Sequence, residues 1–267
     1  MMDSYQRAKL KEENEVNMIF LKSKKEIELL SESCQIVADT LNMLEKKIKP
    51  GTKISHLDAI AENYILSRNA IPAFKGYMGF PSTLCVSVDD EVVHGIPSDR
   101  ILNSGQIVSI DCGVLKNGFY GDHAKTFFVG HVDSEVKKLV NVTKESLKIG
   151  IAQAKIGNYI SDIGHAIQTH AEINGFSVVR DLVGHGIGKN LHEEPQVPNF
   201  GLPKQGHKIK EGMCLAIEPM VNLGAKEIKT DNDGWTIRTL DGNFSAHFEH
   251  TIAVTGDGPV ILSKGKD

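Results

Sequence analysis

Residues 105–122 read GQIVSIDCGVLKNGFYGD, and this stretch decides how the middle of the chain folds. It begins with an apolar run that ends at Asp111, and Asn117-Gly118, the strongest short hairpin signal, follows. Because Asp111 and Asp122 bracket the turn, the hairpin brings the two aspartates side by side. Adjacent carboxylates repel each other unless a cation lies between them. The stretch therefore predicts a β-hairpin that presents an acidic pair to a cation.

The first part of this stretch has a second copy later in the chain. Residues 212–218, GMCLAIE, align with residues 105–111, and the alignment superposes Glu218 on Asp111. One short match of this kind arises easily by chance. This match is informative because it aligns two acidic residues, Asp111 and Glu218, that each follow an apolar run.

A separate pair of segments supports the repeat. GTKISHL at residues 51–57 aligns with GNYISDI at residues 157–163, at nearly the same offset and in the same order. Two matched pairs at one spacing indicate two related α+β halves that face each other. The predicted division is a charged extension at residues 1–22 and one catalytic domain at 23–267, with halves at about 23–130 and 131–260.

Three more ionisable residues stand beside apolar runs. His185 lies inside GHGIG, Glu218 ends MCLAI, and Glu249 comes just before TIAV. A buried carboxylate must be paired, hydrogen-bonded or bound to a metal, because an isolated one is costly. With Asp111 and Asp122 the set holds four carboxylates and one imidazole. Such a set suits two divalent cations held about 3.5–4 Å apart.

Each acid could instead cap a helix or pair with Lys or Arg at the surface. That is the more frequent outcome for any single Asp or Glu, since most are exposed. The set argues against it, because no Lys or Arg lies within three residues of Asp111, Glu218 or Glu249. The two-metal interpretation is therefore preferred.

Apolar periodicity predicts four helices and six strands. Ser23 and Glu26 form a capping box, and apolar residues then recur every three or four positions until Pro50-Gly51. This stripe could be a coiled-coil seam, but it lacks a regular charge pattern beside it, so we expect a core-facing helix. Residues 1–20 are predicted as a helix or a partly ordered arm. Further helices are predicted at 55–68, 134–155 and 161–174, and strands at 84–88, 107–112, 125–129, 213–217, 235–239 and 250–254.

Composition excludes several classes of partner. The formal net charge is −4 and no Lys/Arg run dominates, so nucleic-acid binding is not expected. The four cysteines form no C-x-x-C pair, which argues against a structural zinc site and fits a reducing compartment. The chain lacks a signal-peptide pattern at its start and any apolar run near the roughly 20 residues of a membrane span. We expect a cytoplasmic monomer without membrane contact.

The motifs around the ionisable residues resemble those of the type I, bacterial-type methionine aminopeptidases of metallopeptidase family M24. They are IDCGVLKNGFYGD at 110–122, GHGIG at 184–188, LHEEP at 191–195, IEP at 217–219 and EHT at 249–251. The resemblance covers about residues 23–260 and fills all five ligand positions. It implies an α+β pita-bread (creatinase/aminopeptidase) fold with internal pseudo-twofold symmetry and an antiparallel sheet covered by helices.

The resemblance also implies a role for each ligand. Asp111 would bind one cation through both oxygens, and His185 and Glu218 would bind the other. Asp122 and Glu249 would bridge the two cations. A water activated by the cations would be the nucleophile, with Glu218 as its proton acceptor. Co, Mn, Fe and Zn all fit an oxygen-rich set with one histidine, so the residues do not select one metal.

Two further histidines fall on motifs of the family that contact substrate. His192 would hydrogen-bond the scissile carbonyl or the developing oxyanion, and His94 the peptide nitrogen or the leaving amine. A histidine among apolar residues is more often a hydrogen-bonded structural group. That structural role is assigned to the remaining eight: His56, His123, His131, His165, His170, His207, His247 and His250.

Substrate selection requires an apolar pocket for an unbranched side chain. By resemblance the pocket would be lined by Tyr77, Phe80, Cys85 and Trp235. Leu191 stands where the family often has an aromatic residue, which affects the depth of the pocket. A pocket of this kind discriminates by shape, at about 1–3 kcal/mol per misplaced methylene.

The implied activity is removal of the initiator methionine from nascent polypeptides with a small second residue, in the context of the ribosome. Xaa-Pro peptidases of the same fold carry different residues around the last glutamate, where residues 248–251 read FEHT. Type II methionine aminopeptidases have a long insertion between the last two glutamates, whereas Glu218 and Glu249 are only 31 residues apart. A non-catalytic binding homologue would usually have lost ligands, and here none is missing.

Overall fold

The computed structural model describes residues 18–264, so most of the prediction for residues 1–20 lies outside the described residues. The helices are α1 (Lys24–Glu45), α2 (Ile54–Ser67), α3 (Ser134–Gln153) and α4 (Ile160–Ile173). The strands are β1 (Ile71–Pro72), β2 (Leu84–Val88), β3 (Glu91–Val93), β4 (Ile107–Lys116), β5 (Phe119–Phe128), β6 (Ser177–Val178), β7 (Gly184–Gly186), β8 (Glu193–Val197), β9 (Cys214–Ile217), β10 (Met220–Asn222), β11 (Ile228–Thr230), β12 (Ile237–Thr239), β13 (Ser245–His247), β14 (His250–Thr255) and β15 (Gly258–Ile261). Within residues 18–264, no helix has the length and apolar content needed to cross a membrane.

Helix α1 starts at the predicted capping box. The Ser23 hydroxyl oxygen accepts the Glu26 N–H, and the Glu26 carboxylate accepts the Ser23 N–H at 2.9 Å. Reciprocal bonds of this kind satisfy N–H groups that a helix start leaves free. One face of the helix is buried in the core, as predicted for a core-facing helix. The helix ends at Glu45, before the Pro50-Gly51 pair that was predicted to stop it.

The helices occur twice in the same order. A long helix precedes a 14-residue helix in each half: α1 precedes α2, and α3 precedes α4. One apolar cluster draws its buried residues from positions 36–129 and another mainly from positions 132–254. These observations favour the division into two halves, whose boundaries remain a prediction.

All strand pairs are antiparallel. In the first half, β4 pairs with β5 on one side and with β2 and β1 on the other. In the second half, five strands pair in the order β15-β14-β9-β7-β8. Strands β4 and β9 contain the apolar part of each copy of the repeated segment, so both copies enter a sheet at corresponding places.

The central hairpin forms with longer strands than predicted. Asn117 and Gly118 both have left-handed φ angles, 52° and 78°, as a two-residue type I′ turn requires. Strand β4 continues to Lys116, beside this turn, so the predicted end of the strand at residue 112 is wrong. Asp111 lies opposite Ala124 and Asp122 opposite Gly113, which makes the aspartates diagonal neighbours on one face. The carboxylate interrupts the apolar run, but the hydrogen-bond ladder continues through it.

Candidate metal centre

Five elements bring the predicted ligands to the floor of one cleft. Asp111 lies on β4, Asp122 on β5 and His185 on β7, whereas Glu218 follows β9 and Glu249 precedes β14. All five line a cavity of about 1000 Å³. The hairpin of the first half and the five-stranded sheet of the second half therefore face each other across the site.

The ligand atoms lie close together. Asp122, His185 and Glu249 each place one ligand atom within 4.8 Å of the others, a grouping that could hold a metal ion. The His185 Nε2 atom lies 3.7 Å from Glu218 Oε1. Asp111 is within hydrogen-bonding reach of Asp122.

Strands β5 and β14 fix two of these carboxylates against each other. The Asp122 N–H donates to the Thr251 Oγ1 atom at 3.1 Å, and the Thr251 hydroxyl donates to the Asp122 carbonyl at 2.8 Å. The Glu249 N–H donates to the Ala124 carbonyl at 2.9 Å. Asp122 and Glu249 are thus held together by bonds that join the two halves.

The protein groups around the four carboxylates do not neutralise their combined negative charge, and all four carboxylates have raised pKa values. Burial raises the pKa of Asp111 to about 6 and that of Glu218 to about 8. Burial, followed by repulsion from neighbouring carboxylates, also raises the pKa values of Asp122 and Glu249. Among the described residues, Asp111 Oδ1 and Glu249 Oε1 are buried acceptors without a hydrogen-bond partner. A divalent cation would satisfy both atoms and reverse the direction of the pKa shifts.

His185 is prepared to act as a neutral ligand. Its Nδ1 atom donates to the Gly186 carbonyl at 2.8 Å, which leaves the Nε2 lone pair facing the carboxylates. Burial, helped by the nearby His192, lowers the pKa of His185 to about 3. Metal binding needs a deprotonated imidazole, so the donor set fits divalent cations.

His192 stands beside this group and is oriented by Tyr77. The Tyr77 Oη atom lies 2.9 Å from His192 Nδ1, and the ring centroids of His192 and His185 are 4.4 Å apart. With the phenol as donor, the His192 Nε2 atom carries the proton and can donate it to a substrate oxygen. Burial lowers the pKa of His192 and so favours this neutral form. The sequence placed Tyr77 in the pocket but gave no sign of this bond.

His94 lines the same cleft directly after β3. Its φ angle is 59°, a left-handed value that is uncommon for any residue with a side chain. Such conformations concentrate where the surrounding structure holds a side chain in place for function. Burial, then repulsion from His247 and His192, lowers the pKa of His94 to about 4.

The predicted substrate pocket lies in the same cleft. Phe80 and Trp235 meet edge to face with ring centroids 5.1 Å apart. Cys85 is buried on β2, directly opposite Asp111 on β4. Leu191 is buried as well and lines the cavity. An apolar pocket therefore adjoins the acidic floor.

His247 belongs to this centre, although the sequence assigned it only a structural role. Its Nε2 atom is buried, lies 3.5 Å from Glu218 Oε2 and has no hydrogen-bond partner within residues 18–264. Its position two residues before Glu249 was the one available signal. His123 and His250 keep structural roles, because their rings stack at 4.4 Å and His123 hydrogen-bonds the Glu249 carbonyl.

The sequence matches the model of metallopeptidase family M24 over residues 28–256. The chain belongs to this family. A methionine aminopeptidase of Clostridium perfringens is 51% identical over 246 residues, which are 92% of this chain and 99% of that protein. The solved structures of similar fold include both methionine aminopeptidases and prolidases.

A crystal structure of methionine aminopeptidase from Rickettsia prowazekii superposes with a TM-score of 0.91 at 40% identity, covering 92% of this chain and 100% of that one. The prolidase from Pyrococcus furiosus gives a TM-score of 0.76 at 21% identity, over 97% of this chain and 68% of its own, and shows the shared fold alone. These similarities confirm the pita-bread fold class, the resemblance to bacterial-type methionine aminopeptidases and the class of enzyme, an aminopeptidase. The Xaa-Pro peptidase alternative is not favoured.

Proposed function

We propose that this chain removes the N-terminal methionine from polypeptides whose second residue is small, with two divalent cations bound at the floor of the cleft. The observation that carries the proposal is the convergence of four carboxylates and His185 beside an apolar pocket. The acidic floor suits cations and the α-amine of a peptide. The pocket suits the side chain of the first residue.

Asp111, Asp122, His185, Glu218 and Glu249 would hold the cations. The buried acceptors without partners, Asp111 Oδ1 and Glu249 Oε1, support this assignment. Bound divalent cations of this kind supply a water that is acidic near neutral pH and polarise a carbonyl group. Cobalt, manganese, iron and zinc all suit the donor set.

The cleft residues orient the peptide. The methionine side chain enters the pocket between Phe80, Cys85 and Trp235, which places the first peptide bond over the acidic floor. The His192 Nε2–H, fixed by the Tyr77 bond to Nδ1, donates to the carbonyl oxygen as negative charge develops there. His94 accepts or donates a hydrogen bond at the peptide nitrogen.

Proton transfer belongs to Glu218. Its carboxylate takes a proton from the attacking water as the new C–O bond forms. The proton then moves to the leaving amine as the C–N bond breaks. Contacts of Glu218 with His185 and His247 hold the carboxylate in place for both steps.

The proposed context is the cytoplasm, where the enzyme acts as a monomer on nascent chains at the ribosome. The relatives named methionine aminopeptidase support the class of substrate in this proposal. Light scattering after gel filtration tests the oligomeric state. Co-sedimentation with ribosomes that carry nascent chains tests the association.

The activity is tested by the release of free methionine from Met-Ala-Ser and from a Met-Pro peptide, with Ala-Pro-Ala as a control. The protein is stripped of metal and assayed with added Mn(II) or Co(II), beside a His185→Ala variant. We expect methionine release that requires metal, with a loss of at least about 100-fold in the variant. Equilibrium dialysis should show two cations per chain.

The alternatives give different results. Release of alanine from Ala-Pro-Ala without release of methionine would assign the chain to the Xaa-Pro peptidases. No release from any peptide, together with no bound metal, would identify a binding protein that keeps the fold.

A further inference from the structure

Three exposed apolar side chains form a rim at the mouth of the cleft. Met18, Phe20 and Met78 are 49%, 46% and 83% exposed, and all three line the cavity. Single exposed apolar residues are common and need no explanation. These three side chains come from two segments that are distant in sequence, and they meet at the opening of the proposed substrate cleft. An exposed apolar group in such a place indicates an interaction site. We call Met18, Phe20 and Met78 the apolar rim.

The segment that carries Met18 and Phe20 is anchored rather than loose. The Lys22 Nζ atom lies 2.5 Å from Glu193 Oε2, and both side chains are only 5% exposed. The Lys22 N–H donates to the Gly212 carbonyl at 2.7 Å, and Nζ donates to the Phe20 carbonyl at 2.9 Å. Glu193 follows His192 directly, so these bonds tie the segment to the wall of the active site.

Met78 is displayed by an unusual turn. Its φ and ψ angles are 48° and 20°, and it lies between Gly76 and Gly79, whose φ angles are 87° and 92°. A left-handed methionine is a strained feature that the surrounding structure must hold in place. Backbone hydrogen bonds close the turn, from the Tyr77 N–H to the Phe74 carbonyl and from the Phe80 N–H to the Tyr77 carbonyl, both at 2.9 Å. The Tyr77 hydroxyl also bonds His192. The same short turn thus orients a candidate catalytic group and presents an apolar side chain to solvent.

We propose that the apolar rim binds the third and fourth residues of the peptide and favours apolar side chains there. The inference rests on the proposed function. With the α-amine at the acidic floor and the first side chain in the pocket, the remaining chain must leave through the mouth of the cleft. An extended chain spans about 3.3–3.6 Å per residue, so the third and fourth residues lie about 7–11 Å beyond the first. The rim both lines the cavity and is exposed to solvent, so it is placed to contact the chain that leaves the cleft.

The chemistry of the rim predicts a broad preference. Two of its three members are methionines, whose flexible thioether side chains adapt to partners of different shape. A processing enzyme meets many different sequences after the second residue. The rim should therefore reward apolar character at positions three and four without selecting one residue type.

The test compares Met-Ala-Leu-Leu with Met-Ala-Ser-Ser, both amidated, on the metal-loaded full chain. The ratio of kcat/KM for the two peptides should be about five to ten in the wild type, the factor given by burying roughly 40–55 Å² of apolar surface. The ratio should fall toward one in a Met18→Ser/Phe20→Ser double variant and decrease partly in Met78→Ser. Ile173→Ser is the matched control, because Ile173 is 82% exposed at the end of α4 and does not line the cleft.

The possible results distinguish a failure of the rim proposal from a failure of the proposed aminopeptidase function. Methionine release from both peptides with a wild-type ratio near one would overturn the rim while leaving the aminopeptidase activity intact. A wild-type ratio that is unchanged in both rim variants would overturn it as well. No methionine release from either peptide by the metal-loaded wild type would overturn the proposed function and the rim together. Thermal midpoints within about 2 °C of wild type would show that each variant folds.

Discussion

Two imidazoles approach opposite oxygens of the Glu218 carboxylate. His185 Nε2 lies 3.7 Å from Oε1, and His247 Nε2 lies 3.5 Å from Oε2. Glu218 would be a cation ligand in the proposed centre, and His247 approaches the oxygen opposite the one that His185 approaches, so it would help to position the carboxylate. Groups that orient metal ligands in this way commonly change metal affinity by about 10–100-fold.

Replacement of His247 therefore gives a prediction about metal binding. His247→Phe should weaken Mn(II) binding by about tenfold or more, because the Glu218 oxygen loses its polar neighbour. His247→Gln should bind within about threefold of wild type, since its amide N–H can replace the imidazole N–H. Isothermal titration of the metal-stripped proteins measures both values. Equal affinity in the Phe variant and the wild type would exclude a positioning role.

The buried Glu218 predicts how the metal-free protein responds to pH. Its pKa rises from 4.5 to about 8 on folding, so between these values the folded state binds more protons than the unfolded state. The free energy of unfolding must therefore fall as pH rises through that window. His185, lowered from 6.5 to about 3, reduces stability only below pH 6.5 and does not oppose this trend above it.

Between pH 6.5 and about 8.5, the thermal midpoint of the metal-free protein should fall by several degrees, at about 2–4 °C per kcal/mol for a domain of this size. A Glu218→Gln variant should show a smaller fall, because it cannot ionise. Saturating Mn(II) should remove the fall in the wild type. A midpoint that rises across this range in the metal-free wild type would contradict the assignment.

The sequence predicted five ligand positions because motif and position agreed for each of them, and all five side chains line one cleft in the structure. It did not identify the contact of His247 with Glu218, since a histidine in a short strand has no pattern that distinguishes a structural residue from a functional one. The sequence also could not predict the hydrogen bond between Tyr77 and His192, because the two residues are 115 positions apart. Contacts of this kind depend on the folded arrangement of two loops.

At the scale of elements, helix α1 packs directly on strand β5 at Gly121. A Cβ atom there would lie 2.5 Å from the backbone nitrogen of Cys34, and the backbone cannot yield as a flexible side chain would. Gly121→Ala should lower the free energy of unfolding by about 1–3 kcal/mol or more, the usual cost of overpacking. Gly256→Ala is the control, because the nearest atom is 3.9 Å away, and it should change stability by less than about 0.5 kcal/mol. Urea unfolding followed by circular dichroism measures both, and equal stability of the two variants would refute close packing at Gly121.

The long elements were predictable and the short ones were not. The second to fourth helices begin within one residue of their predicted starts, and all four helices form, because each has enough turns to show a period. Strands of two or three residues, such as β7 and β10, have no room for an alternating pattern. Strand β7 reads Gly-His-Gly and is held by pairing with β8 and β9 rather than by its own propensity. Trp235 lies just outside β12, although the prediction included it in a strand.

At the scale of the whole molecule, the proposed cations connect the two halves. Asp111 and Asp122 come from the first half, and His185, Glu218 and Glu249 come from the second. A ligand that binds only the folded state stabilises it by about 2.7 kcal/mol at one hundred times its Kd. Metal binding should therefore stabilise the contact between the halves as well as the active site.

Removal of metal should lower the thermal midpoint by about 5–10 °C relative to protein with Mn(II) at one hundred times its Kd. The difference should shrink in His185→Ala, which keeps the fold but loses a ligand. Differential scanning calorimetry of the stripped and reloaded protein measures it. A midpoint that does not depend on metal would show that the halves are joined without help from the site.

Because Glu249, the last of the five proposed ligands along the chain, directly precedes β14, the order of synthesis should control when the enzyme can first work. At about 5–20 residues per second, Glu249 joins the growing polypeptide roughly 7–30 s after Asp111. Until then the hairpin carries its acidic pair without the partners that complete the centre. A copy whose translation stops before Glu249 would hold both aspartates, both pocket aromatics of the first half and most of the second sheet, and would still lack activity.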